Sequence, residues 1–303
     1  MDTRSSEAEP TAPSGIGEVA LRPRNVRFDF TGSPLRWIPG EPVVSHFISS
    51  LNLLLPVGER MFVEAFTEAL PYVRDEKVRE AMVGFIGQEA IHAATHDRAL
   101  WEYLDQHDVD PRPFVAQADY VFERIGELTA RGPRTLRYRV LVEKLAVIAG
   151  IEHFTAVLGD WVLNHPLENF AADPTILDLF RWHGAEEVEH RNVAFDVALY
   201  FGVSRRHLVV HFILGSVVLL AMMFRATRFV AHQDPTLPRY GYLSLFREVN
   251  NGMQRGALIP WRALWGAFKA YLRPDFTPES LGDTAQAVAY LAQSPAAKAA
   301  EAT

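Results

Sequence analysis

Two short motifs combine a carboxylate and an imidazole at a spacing of one helical turn. Glu89-Ala-Ile-His92 is one Glu-x-x-His unit, and Glu187-Val-Glu-His190 is a second. Residues three apart lie on the same face of an α-helix, so each pair could bind a single metal ion. One such unit arises often by chance. The rest of the chain therefore decides whether the two units act together.

Four glutamates are predicted to share their helical faces with apolar residues, one in each of four helices: Glu59, Glu89, Glu152 and Glu187. Burying an unpaired carboxylate is costly, and no lysine or arginine lies on these faces to compensate. Histidines do lie there, which favours metal ions as the counter-charge. The ligand order Glu, Glu-x-x-His, Glu, Glu-x-x-His is typical of di-iron and di-manganese carboxylate bundles. Other acids point away from these faces: Glu64, Glu68, Glu80 and Glu189.

Further side chains near the motifs leave alternatives open. His183 lies four residues before Glu187 and would either bind a metal or orient that glutamate; we favour the ligand role. His96 lies one turn after the first Glu-x-x-His unit, and we expect it beside the ligands or in the core. Glu186 competes with Glu187, since it also lies one turn from His190. Two histidines are expected to be structural: His46 and His153.

The composition restricts the kind of metal site and the classes of partner. The 303 residues include no cysteine, which excludes disulfides, zinc–thiolate sites and iron–sulfur clusters. Oxygen and nitrogen ligands favour iron, with manganese or a mixed pair as alternatives. The net charge of -7 argues against nucleic-acid binding, which calls for a basic surface.

The hydrophobic period predicts an all-α fold, namely a ferritin-like four-helix bundle with extra helices and an N-terminal extended arm. Three regions are expected: a flexible tail and arm over 1–40, the di-metal bundle over 41–230, and a C-terminal helical appendage with a disordered end over 231–303. The predicted helices are Ser45–Leu70, Asp75–Gln106, Pro113–Ala130, Leu136–Asn164 and Asp173–Gly202. Asp75 and Asp173 are the predicted N-caps.

The most apolar stretch is residues 208–224, which has arginines on both sides. Its 17 residues are at the short end for a membrane span, and it contains His211 and Ser216. We therefore expect a buried or subunit-contacting helix. A homodimer contact and a weak membrane contact through 208–224 are both alternatives. The N-terminus lacks a secretory signal, which predicts a cytoplasmic protein.

Several stretches resemble a bacterial family named predicted metal-dependent hydrolases, over about residues 25 to 230. They are PLRWIPGEPVVSHFISSLNLLLPVGE, GFIGQEAIHAATH, IEHFTA and RWHGAEEVEHRNVAFDV. The ligand order also resembles ferritin-like di-iron oxygenases of the p-aminobenzoate N-oxygenase type. That type has an additional histidine at the position of His183. The resemblance implies seven ligands: Glu59, Glu89, His92, Glu152, His183, Glu187 and His190.

Three functions fit this ligand set. The first is an oxidoreductase in which two iron ions activate O2 and oxidise a small, rather apolar substrate, with an external electron donor. The second is a hydrolase in which paired metals lower the pKa of a bound water. The third is metal storage or a structural metal site. We favour the first, because no basic cluster that would stabilise an oxyanion lies on the ligand faces.

Overall fold

The computed structural model describes residues 20–120 and 132–301. The tail predicted for residues 1–18 lies outside these ranges. No β-strand occurs within them, which confirms the all-α fold class. The helices are α1 Pro42–Ser49, α2 Leu51–Ala69, α3 Glu76–Arg98, α4 at residues 112–120, α5 Arg134–Asn164, α6 Pro174–His190, α7 Val193–Tyr200, α8 Arg205–Ala231, α9 Tyr242–Arg255, α10 Trp261–Leu272, α11 Thr284–Leu291 and α12 Pro295–Glu301.

Helices α2, α3, α5 and α6 form the bundle that carries the candidate ligands. Helix α2 packs against α3, α5 packs against α6, and further contacts join α2 to α5 and α3 to α6. The backbones of α5 and α6 approach closely at Gly159 and Gly184. A Cβ atom added to Gly159 would lie 2.5 Å from the carbonyl oxygen of Gly184. Glycine at this crossing therefore allows α5 and α6 to bring their polar faces together.

The first half of the chain has more breaks than the sequence pattern predicted. The helix predicted for Ser45–Leu70 is divided at Ser50 into α1 and α2. The helix predicted to extend to Gln106 ends at Arg98 and continues into a π-helical turn, Ala99–Tyr103. The apolar residues of that turn keep roughly helical spacing, so the period alone could not locate the change in winding.

Both predicted N-caps are present. The Asp75 carboxylate accepts hydrogen bonds from the backbone N–H groups of Lys77 and Val78, and Asp173 does the same for Thr175 and Ile176. The second of these helices is shorter than predicted: α6 ends at His190, and α7 begins at Val193. Helix α5 begins two residues earlier than predicted. Residues 121–130 of the helix predicted for Pro113–Ala130 lie outside the described residues.

The N-terminal arm is extended, as predicted, and packs against α3. Cβ atoms added to Gly84 and Gly87 would lie 2.6 Å from Leu21 Cβ and 2.4 Å from Pro23 Cγ. Glycine at these two positions therefore forms the groove that the arm occupies. The later part of the arm is anchored by fully buried Trp37, whose ring stacks on Phe180 at 5.8 Å.

The C-terminal residues are more ordered and better packed than expected. The end after Ser294, predicted to be disordered, forms α12, which packs against α6 and buries Ala296 and Ala297. That prediction was wrong because the alanine-rich composition also favours a helix once one face is covered. Leu245 and Leu291 belong to the same hydrophobic cluster as bundle residues, so this region shares the bundle's core.

Helix α8 contains the apolar stretch 208–224. Its inner face packs closely on α5, where a Cβ added to Gly150 would lie 2.7 Å from Phe212 Cα. By length and composition, α8 is the one helix among the described residues that could cross a membrane. Only 22% of its most apolar window is buried. The expectation of a buried helix therefore holds for one face only. The opposite face carries exposed Val210, Leu214 and Val217.

Candidate metal centre

The bundle interior is polar at one level, between two apolar clusters. On α5, Ala149 belongs to one hydrophobic cluster and Phe154 to the other, with buried Glu152 between them. On α2, Glu59 likewise lies between Leu54 and Phe62. Helices α2 and α5 thus supply their ligands at the boundary between the two clusters. All seven predicted ligands are buried and meet at this level: Glu59, Glu89, His92, Glu152, His183, Glu187 and His190.

The buried glutamates and histidines form four overlapping groups of candidate ligand atoms, two of which we name site A and site B. Site A contains Glu59, Glu89 and His92, and site B contains Glu89, Glu152, Glu187 and His190. The other two are Glu59 with His96 and His183, and His92 with His183 and Glu187. Within each group the ligand atoms lie within 4.8 Å of one another, which is the spacing that one shared metal ion requires. Glu89 belongs to both sites and is placed to bridge them.

Glu187 is the second bridging candidate. Its Oε1 atom lies 3.2 Å from His183 Nε2, 3.5 Å from His190 Nε2 and 3.7 Å from His92 Nδ1. Three imidazoles from two helices therefore point to a single carboxylate oxygen. Its other oxygen, Oε2, accepts a hydrogen bond from the Thr155 hydroxyl. His183 also forms a ligand group with His92 and Glu187, which places it on the site A side.

Many of these atoms lack a hydrogen-bond partner, and this tests whether metal ions fit. The buried atoms without a partner include both carboxylate oxygens of Glu59, Glu89 and Glu152, together with His92 Nδ1 and His190 Nε2. Leaving so many buried polar atoms unpaired would be strongly destabilising. All of them face the same space, and their oxygen and nitrogen chemistry suits iron or manganese. The residues fit a pair of metal ions.

The tautomers of the histidines support the same conclusion. His92 Nε2 lies 2.9 Å from Glu186 Oε2, and His190 Nδ1 lies 3.3 Å from Gln88 Oε1. Each acceptor oxygen holds the proton on the nitrogen that it contacts, which we call the outer nitrogen. The other nitrogen, His92 Nδ1 or His190 Nε2, faces the ligand group and is left free to bind a metal. Glu186, the competitor of Glu187, therefore orients His92 instead of joining the ligands.

His183 is oriented by a longer chain of hydrogen bonds. Asn52 Oδ1 lies 2.7 Å from His96 Nδ1, so His96 carries its proton there. His96 Nε2 is then an acceptor for His183 Nδ1, 3.1 Å away. This leaves His183 Nε2 unprotonated and directed at Glu187. His96 therefore orients His183 and favours the ligand role for it, while His96 also belongs to a candidate ligand group with Glu59 and His183.

An arginine of the N-terminal arm joins the two halves of the site. Arg24 Nη1 lies 2.8 Å from Glu186 Oε1 and 2.8 Å from Glu189 Oε2. Gln88 Nε2 also donates to Glu189 Oε2, at 3.1 Å. The network therefore runs from His92 through Glu186, Arg24, Glu189 and Gln88 to His190. Glu189 points away from the ligands, as predicted, but its side chain is buried in this ion pair.

The local electrostatics follow from burial and from the neighbouring charges. Burial raises the pKa values of Glu59 and Glu152 well above the usual range for a glutamate. Burial acts on Glu187 in the same direction, but His190 and His183 outweigh it and hold its pKa well below that range. In the protein without metal, the carboxylates are therefore unequal. Metal binding would displace the protons that the first two retain.

The histidines expected to be structural lie apart from the centre. His46 Nε2 is 3.0 Å from Asp234 Oδ2. His153 is enclosed by aromatic rings, with Tyr271 at 4.6 Å, and burial lowers its pKa to about 4.

Sequence reasoning missed several contributors to the site. Thr155 was visible as a hydroxyl on the face of Glu152, but nothing marked its bond to Glu187. Arg24 gave no signal, because an extended arm has no period that aligns it with a helix. A separate group near the surface contains Glu143, His207 and His211, in which Glu143 Oε2 lies 2.8 and 2.9 Å from the Nε2 atoms of the two histidines. This group ties α8 to α5.

Comparison with known proteins gives one match. The profile of a family described as predicted metal-dependent hydrolase matches residues 22–282. The chain belongs to this family. The match spans the arm, all four bundle helices and α8 to α10, so every residue of the centre lies within it. No curated protein and no solved structure matches the chain. The buried glutamate and histidine groups agree with the metal dependence in the family's description.

Proposed function

We propose that this member of the predicted metal-dependent hydrolase family is a dinuclear metal enzyme, and that it uses two iron ions and O2 to oxidise a small, rather apolar substrate. The observation that carries the proposal is the pair of shared carboxylates, Glu89 and Glu187, at the centre of a buried Glu/His ligand set. Two ferrous ions, if held there, would supply electrons for the reduction of O2, and an external donor would have to restore them.

The chain's own residues have separable roles in this proposal. Glu89 and Glu187 would be shared between the two metal positions, since each belongs to two of the ligand groups, while Glu59 would serve site A and Glu152 site B. Thr155 holds the Oε2 atom of Glu187, which leaves Oε1 for the metals. His92, His183 and His190 complete the ligand set, with their outer nitrogens fixed by hydrogen bonds.

Access to the centre supports an apolar co-substrate. A small cleft of about 60 Å³ is lined in part by His183 and Thr155. Its remaining walls are aliphatic, aromatic or glycine, including Leu55, Leu158 and Phe180. A cleft of this size and lining suits O2 or the end of a hydrocarbon chain better than a charged substrate. It also limits entry of bulk water.

Hydrolysis is the second candidate, and the family's description favours it. The same ligands could hold two divalent ions that lower the pKa of a shared water. The surroundings offer less support for it. Arg24, the arginine of the hydrogen-bond network, is already paired with Glu186 and Glu189. No lysine or arginine is among the residues that line the cleft. An oxyanion would have only the metals to stabilise it.

One experiment separates the two candidates. The purified protein is loaded anaerobically with ferrous iron, mixed with O2, and followed by O2 uptake and visible absorption, with Glu187→Ala as the control. We expect rapid O2 consumption with a transient visible band in the wild type and neither in the variant. Zinc-dependent cleavage of p-nitrophenyl acetate, with no reaction of the ferrous protein with O2, would replace oxidation with hydrolysis.

A further inference from the structure

Three helices on the outside of the bundle together expose an apolar face. Large apolar side chains are mostly buried in a packed protein, but the side chains of this face are between 38% and 65% exposed. They are Val210, Leu214, Val217, Val218, Leu243, Phe246, Trp261 and Trp265. We call this set the α8–α10 face. Isolated exposed apolar residues are ordinary, but a contiguous group on three elements indicates a surface that is covered in use.

The three helices form one surface. Phe246 of α9 lies 6.0 Å from Phe224 of α8 and 6.0 Å from Trp261 of α10, measured between ring centroids. A cavity of about 380 Å³ between α8 and α10 is lined by Val217 and Trp265. The apolar side chains are therefore neighbours across helix boundaries.

The charge of this region is opposite to that of the rest of the chain. Residues 205–273 contain ten lysines and arginines and two acidic residues, a formal charge of +8 in a chain whose net charge is -7. Four of these cations are exposed and form no ion pair with another described residue: Arg206, Arg239, Arg247 and Arg262. Lys269 lies 5.4 Å from the Trp265 ring centroid. Cations and exposed tryptophans thus lie next to one another on α10.

We propose that the α8–α10 face docks on the surface of an anionic lipid bilayer. Apolar side chains bordered by arginine and lysine, with tryptophan at the boundary, are the pattern of helices that lie in the membrane interface. The basic charge favours anionic headgroups, and the cavity between α8 and α10 offers an apolar space for an acyl chain.

The orientation of α8 favours lying on the membrane over crossing it. One face of α8 packs on α5, and Phe212 is seated against Gly150 of that helix. A membrane-spanning α8 would have to leave α5, which carries Glu152. The helix can instead keep its packing and bury only the outward residues, such as Val210 and Val217, in the lipid.

A second copy of the chain is the alternative occupant, and the charge argues against it. A two-fold dimer would place this face against itself, because the same patch serves both subunits. Exposed cations of each copy, such as Arg247 and Arg262, would then face those of the other. A bilayer containing anionic lipid turns the same charge into an attraction.

Co-sedimentation with vesicles tests the proposal on the full-length, metal-loaded protein. We expect at least about tenfold stronger binding to phosphatidylcholine vesicles that contain about one third phosphatidylglycerol than to phosphatidylcholine alone, and loss of this binding in high salt. Val217→Glu should abolish it. The matched control is Val83→Glu, which alters a similarly exposed valine on α3. Arg262→Glu should weaken binding, whereas Arg137→Glu, at an exposed arginine of α5, should not.

Three results would overturn the proposal. The wild type could stay in the supernatant with anionic vesicles. The variants Val217→Glu and Val83→Glu could reduce binding equally. The protein could form a dimer, measured by light scattering without lipid, that Val217→Glu dissociates, which would make a second copy the occupant. Retained folding of each variant is checked by circular dichroism and by its bound metal content.

Discussion

A folded protein usually buries its apolar side chains and exposes its charged ones. The metal centre and the α8–α10 face depart from this arrangement in opposite ways. The centre buries charged groups such as Glu89 and His92, whereas the face exposes apolar groups such as Val217 and Trp265. Each arrangement costs free energy in the isolated chain, the first by desolvation and the second by apolar exposure. We propose that metal ions relieve the first cost and a lipid surface the second.

The difference between them lies in how sharply each specifies what it binds. Interior ligands are held by fixed partners, including Glu186 on His92 and Gln88 on His190, so their donor atoms point to defined positions. The side chains of the α8–α10 face have few fixed hydrogen-bond partners. They offer apolar surface area and positive charge instead of defined donor atoms. In our proposals, the geometry of the ligand atoms selects metal ions inside, while apolar area and charge select a class of surface outside.

The largest effect is expected from removing a shared ligand. Glu187→Ala removes the oxygen to which three histidines point, so both metals should be lost under conditions that load the wild type fully. Glu59→Ala touches site A only and should leave the site B ion in place. Elemental analysis after ferrous loading and desalting measures both outcomes. Glu64→Ala, at an exposed acid of the same α2 helix, is the control and should bind metal normally.

A second prediction tests whether the two regions are independent. Val217→Glu should lose vesicle binding but keep the wild-type metal content and melting temperature, because its side chain is already exposed to solvent. Glu187→Ala should show the converse, with metal lost and vesicle binding kept. If each variant lost both metal and vesicle binding, metal binding would shape the α8–α10 face and the two regions would not be independent.

A smaller effect is expected from the arm. Arg24→Gln breaks the link between Glu186 and Glu189 but removes no ligand, so metal affinity should fall by roughly 10- to 100-fold. Competition with a chelator such as a fluorescent iron indicator measures the change. Arg27→Gln, at an exposed arginine on the same arm, should leave the affinity unchanged. Equal effects of the two substitutions would assign the role to the arm's packing instead.

The smallest effect concerns a buried acid that belongs to neither region. Burial and then Glu279 raise the pKa of Asp196 to about 7, and its Oδ2 atom has no hydrogen-bond partner. An acid whose pKa is raised in the folded state destabilises the fold increasingly as pH rises from its unfolded value towards 7. Asp196→Asn should therefore raise the melting temperature more at pH 8 than at pH 5.

Thermal unfolding of both proteins at the two pH values checks this prediction. A gain that is equal at both pH values would mean that Asp196 does not titrate in this range. Bound metal serves as the control, since Asp196 is not among the ligand groups and its substitution should not change the metal content.

Helical period and residue type predicted much of the centre. The four glutamates stood out because acids such as Glu152 interrupt apolar faces, and a buried charge of that kind needs a counter-charge. The period could not locate the break between α6 and α7, since Arg191 and Asn192 do not disturb the spacing. It also could not place Arg24, whose position depends on the glycine groove on α3.

The outer face illustrates the opposite limit. The apolar residues of 208–224 were evident in the sequence, but composition does not say which side of a helix is covered. The tertiary structure shows that α8 is covered on one side, where for example Phe212 packs on Gly150. The alanine-rich end was misjudged for a related reason, because the contact of α12 with α6 depends on tertiary structure.

The central claim is that the Glu/His centre holds a pair of metal ions. Anaerobic equilibrium dialysis of the wild-type protein against ferrous iron tests it most directly, with bound iron counted per chain. We expect two ions per wild-type chain and none with Glu187→Ala. Fewer than one ion per wild-type chain, or two ions retained by the variant, would contradict the account.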